Sequence, residues 1–306
     1  MMQLRAMRLV DVPRRAFITA VFLMVPLAVL GIALPALAAP KGPYAVFAQC
    51  PTGTPGVTAC TFAQATSGEF SIGSTKVPVN KTITLQGGGI EIAENTYALL
   101  PAKNGESLSK TELNVPGGLL DLVNCQEIKG NGFFEIIERK SCEAIFENKT
   151  TGVTETTELV ANAANPAILN LGDLLSESGT ALTLPVRVHL KNPLLGESCY
   201  AGSESHPIEL HLTTGTTSPP KPNEPIKGKV GKLGSEEEIL VLTENTLVDN
   251  AFSVPVAEGC GGFFSFLIDP LLDAKLGLES KSGHNTAILS GTQKLASAES
   301  VIKSEG

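Results

Sequence analysis

The chain has no tryptophan, three tyrosines and four histidines in 306 residues. Glycosidases need facing carboxylates, usually beside aromatic sugar platforms, and carbohydrate-binding modules need exposed aromatic faces, so both classes are disfavoured. Several chemical signatures are missing as well. There is no C-x-x-C pair of the kind zinc modules use. There is no G-x-S-x-G, the motif that lifts a serine onto a strand-to-helix turn. Neither G-x-G-x-x-G nor a Walker loop occurs to cradle a phosphate, and no EF-hand loop occurs for calcium. The sequence therefore nominates no catalytic residue, no cofactor-binding residue and no metal ligand, and implies no cofactor.

What is present begins at the N-terminus. Arg5, Arg8, Arg14 and Arg15 form a basic leader, and Phe17 to Leu34 follow without a charge. Ala36-Leu37-Ala38 then places small residues where a signal peptidase reads them, which predicts a signal peptide over 1–38 and cleavage near Ala38. An uncleaved anchor is the rival reading, since 18 apolar residues are just long enough to cross a bilayer. No later stretch is long and apolar enough to do so, and the mature form is expected not to span a membrane. Cleavage takes four arginines and one aspartate, leaving 19 basic against 30 acidic residues and a net charge of −11. Such a balance repels nucleic acid and anionic lipid, which excludes nucleic-acid binding as a main role.

Six cysteines, Cys50, Cys60, Cys125, Cys142, Cys199 and Cys260, all lie beyond the leader. An even complement in an exported chain reads as structural disulfides, and proximity suggests Cys50–Cys60, Cys125–Cys142 and Cys199–Cys260. Each bridge contributes about 2–4 kcal/mol, mainly by restricting the unfolded chain.

Residues 39–306 read as mainly β. Leu182, Leu184, Val186, Val188 and Leu190 alternate with polar positions or proline, and Ile208, Leu210 and Leu212 repeat the pattern with Glu209 and His211 between them. Further strands are expected at 82–86, 133–138, 144–147, 152–160, 238–243, 252–257 and 286–292. Frequent Gly, Pro, Asn and Ser clusters between them point to an antiparallel, sandwich-like architecture with few short helices, braced by disulfides. The best helix is 269–277, with Asp269 as cap, Pro270 in the first turn and Gly277 as stop. A turn is expected over Asp173–Ser176. Residues 215–228, with four prolines in the seven positions 219–225, form a loop or linker, read as a loop within one continuous unit. A faint echo links 112–125 with 187–199, each a strand, a Leu pair and a cysteine, and chance explains it.

Weak chemical candidates receive bland readings. His189 and His211 fall on the polar faces of their strands, as solvated histidines that could meet if the strands pair. Ser107-Leu108-Ser109-Lys110 matches S-x-x-K only by spacing, within a polar loop. Glu236-Glu237-Glu238 reads as a solvated lead-in to a strand, and Gly228–Gly234 as a flexible turn. Asn80 and Asn148 stand in glycosylation-type sequons.

Gln49-Cys50-Pro51, Asn80 through Gly88, Asn192 through Tyr200, and Gly259-Cys260-Gly261-Gly262-Phe263-Phe264 resemble uncharacterised exported β-rich proteins of high-GC Gram-positive bacteria. That resemblance implies location and fold class but carries no activity and transfers no functional residue. The expectation is a secreted or cell-envelope, non-enzymatic β scaffold with a binding or structural role, its partner a cell-surface or extracellular protein. An extracellular hydrolase of unrecognised type is the alternative.

Overall fold

The computed structural model describes residues 39–116, 129–130, 132, 135–137, 139–140 and 152–306. The leader, Cys125, Cys142, Asn148 and the expected strand 144–147 lie outside the described residues, as does the second half of the first echo unit.

The alternating segments become strands because their apolar side chains can face one way while the polar ones face the other. Early in the chain these are β1 (Val57–Ile72), β2 (Thr75–Pro78), β3 (Ile83–Ala93), β4 (Thr96–Leu100) and β5 (Glu112–Val115). The middle of the chain supplies β6 (Val153–Leu159), β7 (Ile168–Asn170), β8 (Leu182–Lys191), β9 (Tyr200–Ala201) and β10 (Ile208–Leu212). The last four are β11 (Lys232–Glu236), β12 (Ile239–Asp249), β13 (Ala257–Glu258) and β14 (Thr286–Ser297). Every pairing among them is antiparallel, in a single sheet ordered β11-β12-β14-β1-β3-β4-β7-β8-β6-β5. β2 joins β1, β10 and β9 join β8, and β13 joins β9. The fold is thus mainly antiparallel β, as the alternation predicts, with its layers drawn from one sheet.

Two long strands make that possible, because each serves different neighbours along its length. β1 pairs with β3 through Val57–Ala65 and with β2 through Glu69–Ile72. β8 pairs with β7 at Thr183 and Leu182, and with β6 from Val186 to Lys191. After β10, Thr213 exchanges two 2.9 Å hydrogen bonds with Val248 of β12, so the strand path returns on itself. Gly291 of β14 lies at a pinch in this path. Register shifts flank it on both sides, at Ala65/Ser67 of β1 and Thr243/Asn245 of β12. A Cβ at Gly291 would lie 1.7 Å from the Gln64 carbonyl oxygen, so only glycine lets the bulged strands close there.

The interior holds a large apolar core that includes Leu113, Leu169, Leu174, Leu195, Leu212 and Leu272, all essentially inaccessible to water. Full burial of each such side chain contributes about 1.5–3 kcal/mol. A smaller cluster of Tyr44, Phe47, Ile239, Ala296 and Val301 packs separately, and Cys50–Cys60 forms within it. Cys199–Cys260 forms in the main core. Both of these expected pairs are present.

Helices among the described residues are short: α1 (Leu171–Ser176), α2 (Ser265–Leu276) and α3 (Ala298–Lys303), with 3-10 stretches at Gly42–Phe47 and Gly262–Phe264. The expected turn over Asp173–Ser176 is the body of α1, capped by Asn170, whose Oδ1 accepts from the Asp173 N–H. α2 ends at Gly277 as its sequence predicts, but it begins at Ser265, placing Pro270 inside the helix. Asp269 does not cap α2. Its carboxylate instead accepts from the N–H groups of Gly259 and Cys260, at 3.1 and 2.7 Å.

Three other expectations change. Glu135, Ile136 and Ile137, within the expected strand 133–138, are helical. The expected strand 252–257 is largely irregular, with one bridge from Val254 to Ser280 and β13 starting only at Ala257. Side chains claim the backbone groups a strand would use: Asn285 donates to the Phe252 carbonyl and Asp273 accepts from the Ala257 N–H. Finally, the supposed turn 228–234 is tied down, because Lys229 exchanges hydrogen bonds with Thr246 and β11 begins at Lys232.

The proline segment runs as a loop, bridged at Thr216–Lys227 and fastened where Asn223 Nδ2 donates to the Asn250 and Asn285 carbonyls. Residues Ala38–Gly306 form one compact unit. No helix among the described residues is long and apolar enough to cross a membrane.

Candidate functional site

β6 reads Val-Thr-Glu-Thr-Thr-Glu-Leu, and its pleat sends Val153, Glu155 and Thr157 to the opposite face from Thr154, Thr156 and Glu158. Glu155 thereby enters the core. Its register partners are Leu113 on β5 and Leu190 on β8, both buried. The carboxyl is 4% exposed and lines an apolar cavity of about 60 Å³. That is several times the roughly 10–15 Å³ one water molecule needs. Phe70 from β1, Val77 from β2, Val188 from β8, Leu210 from β10 and Phe252 form much of the wall, with Leu276 at the end of α2. Thr75 and Thr157 add two hydroxyl-bearing side chains to it.

The electrostatics at Glu155 follow from this setting. The Thr157 hydroxyl donates to Oε2 over 3.3 Å, at the long end for such a bond, and Oε1 has no hydrogen-bond partner. Burial penalises the charged form and pushes the carboxyl up to about 7, while the Thr157 bond pulls weakly the other way. A buried carboxyl with a perturbed pKa in the wall of a cavity marks this region as the candidate site.

The reverse face of the same strands is organised differently. Arg187 of β8 bonds Glu158 through Nε at 2.9 Å, and its Nη2 stands 2.8 Å from the same carboxylate oxygen. The guanidinium also lies 4.2 Å above the Tyr200 ring, on which His189 stacks at 4.3 Å between centroids. His189 is thus a buried residue, contrary to its expected solvation. Burial lowers its pKa, and the Glu158 carboxylate, 3.6 Å from Nδ1, opposes that shift. β8 and β10 do pair, yet His211 is opposite Thr183 whereas His189 is opposite Tyr200. Six positions along β8 separate the two by about 20 Å, so they do not form a joint site.

The remaining candidates resolve into structural roles. Ser107 Oγ accepts from the Ala102 N–H and Ser109 Oγ from the Thr84 N–H, so the S-x-x-K segment is a polar loop, here edging an open cleft. Glu237 and Glu238 form the turn between β11 and β12, where Glu237 takes a positive φ of 55°. Among the described residues, no group of three His, Cys, Asp or Glu could hold a metal ion. Compared with protein-family models, curated proteins and solved structures, the chain finds no match. Its chemistry must therefore be argued from its own side chains.

Glu155 escaped the sequence reading, although a signal for it existed. Val153 and Leu159 share its parity on β6, which directs the apolar side of the strand, and Glu155 with it, toward the core.

Proposed function

We propose that the chain is an exported, non-enzymatic binding protein of the extracellular space or cell envelope, cleaved near Ala38, whose β scaffold holds a small apolar molecule against Glu155. The observation that carries this reading is the cavity, walled almost entirely by apolar side chains, with Glu155 the one acidic residue among those that line it. Ligand sites commonly combine an apolar wall with a few placed polar groups. The basic and apolar leader, together with two disulfides, supports an oxidising location outside the cell. The alternative, a hydrolase, would use Glu155 as a general acid near neutral pH. It would also need a nucleophile or second carboxylate beside it, and none lines the cavity.

Hexan-1-ol serves as the probe, followed by calorimetry on the purified chain starting at Ala39. Binding to the unsubstituted protein is expected, with loss in Ala201→Leu, which places extra methyl groups on the cavity wall. Turnover of any member of an ester, peptide and glycoside panel, abolished in Glu155→Gln, would replace this reading with the enzymatic one. Export is checked by the mass of secreted, non-reduced protein: a chain beginning at Ala39 is expected, and a full-length chain found only in membranes would overturn cleavage.

A further inference from the structure

The sheet holds a gap well apart from the Glu155 cavity. β5 and β6 pair from Val115 opposite Val153 to Glu112 opposite Thr156, and there their paths divide. Upstream of β5 the chain leaves β6 and runs along β3, with Leu108 bridged to Leu85. β6 carries on along β8 to Leu159, opposite Val186. Had the β5–β6 register continued, Lys110 would stand opposite Glu158 and Leu108 opposite Val160. An open cleft of about 560 Å³ lies there instead, lined by Leu108 and Lys110 from one path and Glu158 and Leu159 from the other. We propose that this cleft receives an extended, flexible segment of another protein, which adds as a strand between the two edges.

Backbone direction identifies the occupant as a polypeptide. Gln86 donates its N–H to the Ser107 carbonyl and Ser109 donates to the Thr84 carbonyl, both at 2.8 Å. These bonds flank the Leu85–Leu108 pair, so the N–H and carbonyl of Leu108 point away from β3. Neither group has a hydrogen-bond partner among the described residues. On the other path, Val160 donates to the Pro185 carbonyl of β8 at 3.0 Å. Successive strand residues direct their backbone groups to alternate edges, so Leu159 turns its own away from β8. β5 ends opposite Thr156, and no strand among the described residues pairs with Leu159 on that edge. Open donors and acceptors therefore border one cleft on two strand edges, and such edges recruit a further strand.

The side chains fit the same occupant. Leu85, Leu99, Leu108 and Leu159 join the cleft to the main core, giving every second side chain of an inserted strand an apolar floor. With Glu106 and Glu158 against Lys110, the lining is not basic, which disfavours nucleic acid and other phosphate-bearing ligands. A slot with an edge on each side admits only a strand that is free on both of its own. β11, the end strand of the sheet, is exposed along its length but bonded to β12, so a second folded copy cannot insert it. A segment without structure before binding meets the condition.

The probe is a set of seven-residue peptides with blocked ends, threonine alternating with leucine, valine or phenylalanine, titrated by calorimetry into the chain starting at Ala39. Amide exchange followed by NMR locates the binding. In the protein alone the Leu108 and Leu159 amides should exchange freely, and at saturating peptide both should slow at least tenfold. N-methylation of the bound peptide at its threonines, and separately at its apolar residues, should each weaken binding at least tenfold, because each set of N–H groups faces one edge. Leu108→Pro removes the open N–H without removing either bond to β3, and should lower affinity by a similar factor. The methylated peptides decide the matter if that variant does not fold. Weakening by only one methylated set would place the peptide on a single edge and overturn the slot. Failure of every peptide to bind, or binding that left both amides unprotected, would overturn the proposal outright. Protection of both amides in peptide-free protein that sediments as a dimer would give the cleft to a second copy instead, and overturn it as well.

Discussion

Two buried polar regions meet at Phe252 and are built on opposite principles. On one side lies Asn285, fully buried. Its Oδ1 accepts from the Gly73 N–H and the Ser280 hydroxyl, and its Nδ2 donates to the carbonyls of Phe252, Ser280 and Lys281. On the other side lies the cavity, which Phe252 helps to wall and which Glu155, with one carboxyl oxygen unpartnered, also lines. A polar side chain inside a protein is tolerated when its bonding capacity is filled. Asn285 meets that condition within the chain and acts as a fastener for three loops. Glu155 does not: one carboxyl oxygen is left without a partner, and burial raises its pKa instead. A third buried group, Asp249, follows the Asn285 pattern: its carboxylate accepts from the N–H groups of His211 and Ala251, and burial nevertheless raises its pKa.

The sharpest way to test this contrast is to remove each side chain's bonding groups in turn. Asn285→Ala strands a buried N–H, a hydroxyl and three carbonyls at once, and should cost about 3–5 kcal/mol in denaturant unfolding. Glu155→Gln keeps shape and volume while removing only the charge, and should unfold within about 1 kcal/mol of the parent at pH 4.5, where the parent carboxyl is protonated. If the two substitutions cost the same, the distinction between fastener and vacancy is wrong.

The second effect is in pH. Glu155 has its folded pKa raised from 4.5 to about 7, so the native state holds a proton that the unfolded chain has lost. Stability from this group is fully present below pH 4.5 and declines as pH rises toward 7, by about 3 kcal/mol across the window. Unfolding free energies measured between pH 4.5 and 8 should show this decline in the unsubstituted protein and in Asn285→Ala. In Glu155→Gln the contribution should vanish. A slope that survives Glu155→Gln would assign it to another group, with Asp249 and Asp273, whose pKa values are also raised by burial, next in line.

The contrast also explains what the sequence could and could not reveal. Period-two alternation placed β8 and β10 correctly because their leucines share the face that packs on the core, and a slip of one residue would turn them away from it. Cys50–Cys60, 10 residues apart, and Cys199–Cys260, 61 apart, were legible as cysteines adjacent in chain order. The stretch 252–257 has the same β-branched and aromatic content but failed as a strand. Its backbone groups are captured by Asn285 and Asp273, residues 16 to 33 positions away. Such long-range capture has no local signature. Glu155 was harder still, since β6 carries a glutamate on each face. Only the parity of Val153 and Leu159 separates them within β6, and it is β5 and β8 on either side that bury the face Glu155 shares with those two. His189 misled for the complementary reason: its alternation was read correctly, but Tyr200 of β9 stacks over the face that alternation assigned to water.

The smallest expected effect isolates the last contact that Glu155 makes with its own chain. The Thr157 hydroxyl donates to Oε2, and this bond favours the charged form, opposing burial. Thr157→Val removes the donor while keeping the branched shape, so the carboxyl loses its remaining partner and its pKa should move further up. The cost in stability should stay below about 1 kcal/mol at pH 5, where Glu155 is protonated and needs the hydroxyl least. The titration midpoint of the Glu155 carboxyl carbon, followed by NMR, should therefore shift upward from about 7. A midpoint that stays put would mean that the Thr157 hydroxyl does not hold the carboxyl down, and that burial alone sets its titration.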